Sequence, residues 1–130
     1  MTSLDTIVVV RALTQDDPAQ ARKAARILRS GDLFVGKTVL IEVAWVLRKA
    51  YAFPADRIHD ALVQFVSLER LSVEDRPAVV RALEWHAGGL DFADAVHLAS
   101  SPRTSTFVTF DTALAKTAST LRSTPSVELL

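Results

Sequence analysis

Residues 88–111 read GGLDFADAVHLASSPRTSTFVTFD: a helix, a break and a strand that ends on an acid. Gly88 and Gly89 give a flexible approach and Asp91 is a natural N-cap. Asp94 falls three residues later, so both carboxylates meet the positive end of the helix dipole and share one face. Ser101 and Pro102 close the helix. TFVTF, residues 106–110, is the clearest strand in the chain and runs directly into Asp111. A D-x-x-D pair at a helix start is by itself a capping device, so its meaning depends on what the remaining chain brings to it.

Downstream, residues 112–119 return to a helical pattern and 127–130 suit a last edge strand. Upstream, 77–86 form a helix and 71–73 a strand. Pro54 and Asp56 open an amphipathic helix to about Leu68 that buries Ile58, Leu62, Phe65 and Val66. The segment 38–50 reads as a helix capped by Thr38, and from Val39 to Leu47 its only polar residue is Glu42. A helix apolar all round is a buried one, and an unpaired buried carboxylate costs several kcal/mol. Glu42 therefore calls for a cation, whether an arginine or a metal.

Leu33–Val35 is a short buried strand. Asp16, Asp17 and Pro18 start a helix over 18–30 that buries Ala21, Ala24, Ala25, Ile27 and Leu28 and stops at Gly31. Residues 1–4 are a short apolar lead that ends at Asp5. The β-branched run 7–10 has strand propensity, although Thr6 is able to cap a helix through Leu13, and so short a run does not decide between the two.

Short strands alternating with helices define an α/β class with a mainly parallel sheet, in which ligands bind beyond the carboxyl ends of the strands. Asp5 and Asp111 stand at two such ends, and Glu42 and Asp94 lie in early helical turns. Carboxylates gathered there need a counter-ion. An oxygen-rich, sulfur-free set suits a hard cation such as Mg²⁺ or Mn²⁺. Such an ion lowers the pKa of bound water and neutralises a phosphodiester.

Composition sets the remaining bounds. The 130 residues suit a single domain spanning 1–130 that buries ~65–70% of its unfolded surface. With no cysteine, disulfides, thiolate zinc sites and a cysteine nucleophile are excluded. No uncharged apolar run reaches the ~20 residues of a membrane span, and Asp5 stands where a secretory peptide is basic, so a cytoplasmic protein without membrane contact is expected. Fifteen basic residues balance fifteen acidic ones, so any polyanion must be held locally. The run Arg22, Lys23, Arg26, Arg29 reads as a solvated face. His97 reads as a packing residue, and Trp45, Phe65, Trp85 and Phe92 as core or interface.

LDTIVVVRALTQDDPAQA (4–21), TVLIEVAWVLRKAY (38–51), GLDFADAVHLA (89–99) and FVTFD (107–111), in this order and spacing, resemble a PIN domain, specifically a VapC-type toxin of a bacterial toxin–antitoxin pair. The resemblance covers nearly the whole chain. It implies a three-layer α/β/α sandwich in which the segment after Asp5 is helical. It also implies an acidic quartet of Asp5, Glu42, Asp94 and Asp111 that binds Mg²⁺ or Mn²⁺, with Asp91 as an accessory acid. The activity implied is metal-dependent endoribonuclease, with an RNA substrate, a cognate VapB-type antitoxin and a homodimer. Two alternatives are a degenerate PIN domain that mainly binds the antitoxin and a structure-specific DNA nuclease. One position departs from the pattern: Ile7 stands where the family commonly has Asn or Ser, two residues after the first Asp. Isoleucine offers no hydrogen bond to the acidic site.

Overall fold

Asp5 is extended (φ −86°, ψ 160°) and the chain turns helical at once, with α1 over Thr6–Thr14. Strand propensity at residues 7–10 is thereby overturned, and the helix implied by the resemblance is found. The reason is burial: Val9 and Val10 are fully enclosed, and filling a core outweighs a propensity scale that spans only ~1 kcal/mol.

The computed structural model describes all residues from Met1 to Leu130. They form two compact units, Met1–Asp75 and Arg76–Leu130. In the first, β1 (Thr2–Ser3) precedes α1 and is followed by α2 (Pro18–Leu28), β2 (Leu33–Val35), α3 (Lys37–Lys49), α4 (Ala55–Val66) and β3 (Leu71–Val73). The strands pair in parallel in the order β1-β2-β3, with Leu33 between Thr2 and Leu71. Leu33, Val35, Leu40, Val43, Leu47 and Leu62 are almost entirely enclosed, and each contributes roughly 1.5–3 kcal/mol by leaving water. α4 buries Ile58, Leu62, Phe65 and Val66, as its amphipathic pattern predicts.

Two local expectations for this unit are corrected. α3 begins one residue before Thr38: Gly36 is its N-cap and contributes no side chain. The missing cap comes from a distance, because Glu74 Oε1 accepts a hydrogen bond of 2.8 Å from the Lys37 amide. α2 is capped as expected by Asp17, whose carboxylate accepts from the Gln20 amide. It buries only Ala24, however, and leaves Ile27 exposed, since one small-residue contact is enough to seat a surface helix.

The second unit contains α5 (Arg76–Ala87), α6 (Phe92–Ala99), β4 (Thr106–Thr109), α7 (Thr112–Leu121) and β5 (Ser126–Leu129). β4 and β5 are parallel, with Thr106 opposite Ser126 and Thr109 opposite Leu129. α5 packs against α6, and Leu90, Phe92, Ala95, Val96, Leu98 and Ala99 are all buried. His86 is buried with them and meets the Phe92 ring edge to face at 5.7 Å. Gly89 has φ +107°, a conformation that frees the chain to turn from α5 into α6. Both sheets are wholly parallel and their strands alternate with helices, so the α/β class is found. No helix is long and apolar enough to cross a membrane.

Candidate functional site

The five acids singled out from the sequence divide between the units. In the first, Asp5 lies just beyond the carboxyl end of β1 and is the N-cap residue of α1, but its side chain makes no cap hydrogen bond. Its carboxylate is exposed. Glu42 lies on α3, which starts just past the carboxyl end of the neighbouring parallel strand β2. The Thr6 hydroxyl donates to Glu42 Oε1 in a short hydrogen bond, which ties the start of α1 to α3. Glu42 is exposed, with Val43 and Ala44 buried beside it and Trp45 56% exposed. The expectation of a buried carboxylate needing a cation is thus corrected: one face of α3 is wet, and Glu42 stands on it held by a hydroxyl.

In the second unit Asp91 caps α6, its carboxylate accepting from the Asp94 amide at 3.2 Å. Asp94 therefore sits at N3, as the D-x-x-D spacing predicts. Asp111 follows β4 and caps α7, accepting from the Leu114 amide at 3.0 Å. Both caps still carry full negative charge near Asp94. Its carboxyl is held above the usual aspartate value, first by burial, then by repulsion from Asp91 and Asp111; His97 acts in the opposite direction. His97 is exposed, so the packing role expected for it is corrected, and the buried histidine of this unit is His86.

The donor chemistry suits a hard cation: only oxygen ligands, no cysteine, and a carboxyl destabilised by two like charges that a cation would relieve. Within neither unit do three acidic or histidine side chains form a cage of their own. Mg²⁺ does not need one, since it commonly takes one or two carboxylates and keeps several waters. Sequence reasoning overlooked the Thr6 hydroxyl; its signal was a hydroxyl-bearing residue directly after Asp5.

An α/β chain that puts acids at strand ends and helix starts is of the class that handles hard cations and phosphates. A family model described as PIN domain matches residues 3–119, and the chain belongs to the PIN domain family, a family of metal-dependent nucleases. No match was found among curated proteins or among solved structures.

Ile7 is 45% exposed, so an amide placed there does not have to be buried. Ile7→Asn is expected to leave the melting temperature nearly unchanged, within the ~0.5 kcal/mol usual for surface changes. It should strengthen Mn²⁺ binding by up to ~10-fold through an added hydrogen bond beside the acids. Unchanged affinity in a calorimetric titration would remove the Ile7 departure as a cause of weak activity.

Proposed function

We propose that residues 1–130 act as one nuclease domain, a Mg²⁺- or Mn²⁺-dependent endoribonuclease that is the toxin of a toxin–antitoxin pair. Asp5, Glu42, Asp94 and Asp111 are the residues proposed to hold the cation, with Asp91 assisting Asp94. The observation that carries this reading is the raised carboxyl of Asp94 set against Asp91 and Asp111 in a chain matched as a PIN domain. Structural acids are normally arranged to avoid such repulsion, whereas sites that bind cations accumulate it.

When bound, the divalent cation supplies charge neutralisation of the phosphodiester and a more acidic water. The chain's part is to keep carboxylates ionised and fixed. Asp91 and Asp111 are immobilised by backbone amides at helix N-termini, where the dipole favours the anionic form. Glu42 is immobilised by Thr6. An antitoxin segment offering an arginine or lysine to the same carboxylates would block them, and its inhibition would weaken as salt rises. The second copy of a homodimer is proposed by family resemblance.

The test is incubation of the purified chain with single-stranded RNA, single-stranded DNA and a branched DNA duplex, in Mn²⁺ or in chelator. Cleavage of RNA alone, and only with Mn²⁺, is the expected result. Cleavage of DNA in place of RNA would make it a DNA nuclease. Mn²⁺ binding without cleavage of any substrate would leave the degenerate, antitoxin-binding reading.

A further inference from the structure

We infer that Thr6 is a positioning residue of the metal site, its hydroxyl fixing the Glu42 carboxylate so that one oxygen is committed and the other is left to the cation; this rests on the nuclease reading of Glu42. Thr6 is 6% exposed and is the first residue of α1. At that position no earlier helical turn exists whose carbonyl would accept its Oγ1 proton, the usual outlet for a helical threonine. The hydroxyl instead reaches 36 residues along the chain and donates to Glu42 Oε1. A buried hydroxyl must find a partner, and here the partner is an ionised side chain, which makes the bond charge-assisted and stronger than a neutral one.

Glu42 needs such a restraint. It stands on the exposed side of α3, and a glutamate free in solvent samples several rotamers whose loss on metal binding costs affinity. No lysine or arginine forms a salt bridge with it; the two ion pairs of the structure are Arg11–Asp16 and Lys37–Asp75. A cationic tether would compete with a metal for the carboxylate. A hydroxyl orients the group and leaves its charge in place. α1 packs against α3, and Val9, Val10, Leu40, Val43 and Leu47 are buried in the same unit, so the donor sits on a rigid element and its geometry is available before any metal arrives.

The alternative is that Thr6 only ties α1 to α3. Calorimetric titration of Mn²⁺ into the full chain, with the metal-free melting temperature measured on the same samples, separates the two. Thr6→Val, which keeps the shape and removes the hydroxyl, is expected to weaken Mn²⁺ binding by about 10-fold or more, the size of effect seen for groups that orient metal ligands. Thr6→Ser, which restores the hydroxyl, is expected to bind close to wild type. In a Glu42→Gln background Thr6→Val should make no further difference, because the two changes remove one interaction. If Thr6→Val does not fold, Thr6→Ser and Thr6→Ala carry the same comparison, differing from each other only by the hydroxyl. Equal affinity in the hydroxyl-bearing and hydroxyl-free variants, with only the melting temperature lowered, would overturn the inference and leave the nuclease reading intact. A wild-type chain that takes up no Mn²⁺ would overturn both.

Discussion

Asp94→Asn is expected to lower metal-dependent cleavage by about 10²- to 10³-fold while making the metal-free protein more stable. The first half follows from losing a carboxylate proposed to hold the cation: a few kcal/mol of charge stabilisation in the transition state is two to three decades of rate at about 1.36 kcal/mol each. The second half follows from the position of the carboxyl. Its value in the fold lies above the ordinary 3.8 because of burial and of the charges on Asp91 and Asp111, so at neutral pH the ionised group opposes folding. Asparagine keeps the shape and removes that opposition. As pH falls through the raised value toward 3.8, the wild-type carboxyl takes up a proton and relieves itself, and the advantage of the variant disappears. Metal should also stabilise wild type by mass action, about 2.7 kcal/mol at a hundred times the dissociation constant, and the variant far less. Melting curves of both proteins at neutral and acid pH, with and without Mn²⁺, check all of this. A variant no more stable than wild type in chelator at neutral pH would mean that the acids around α6 do not strain one another.

Local signals in the sequence were reliable where a single residue type carries the geometry. Asp17 before Pro18 and Asp91 three residues before Asp94 are both found as caps. The strands 33–35 and 71–73 are found with the bounds read from their apolar runs. Signals that depend on distant packing failed. Residues 7–10 are β-branched yet helical because Val9 and Val10 fill a core. The start of α3 depends on Glu74, 37 residues away, and no window around Thr38 contains that information. Glu42 looked buried because its neighbours are apolar, but Trp45 is exposed on the same helix, and apolar composition does not say which face has a partner. The acids themselves were legible, since each follows a strand or opens a helix. What the sequence did not disclose was the hydroxyl beside Glu42, because a hydrogen bond between residues 6 and 42 leaves no periodicity.

Asp111 serves two roles that two substitutions are expected to pull apart. As the N-cap of α7 it accepts from the Leu114 amide at 3.0 Å; as a charge it helps raise the Asp94 carboxyl. Asparagine is as good an N-cap as aspartate, and alanine is not, at a cost of ~1 kcal/mol, which for a chain of this length is roughly 3–5 °C in melting temperature. Asp111→Asn should therefore melt near wild type in chelator, and Asp111→Ala lower. Both remove the charge, so in both the Asp94 carboxyl should titrate lower than in wild type, readable from its side-chain carbon resonance by NMR. Both should also lose metal-dependent cleavage to a similar degree, about 10²-fold or more by the same conversion of a few kcal/mol into rate. The comparison is decisive because stability and activity are expected to move independently. If Asp111→Asn cleaves as well as wild type and only Asp111→Ala is impaired, and that in proportion to its lower stability, Asp111 is a helix cap alone and drops out of the acidic quartet.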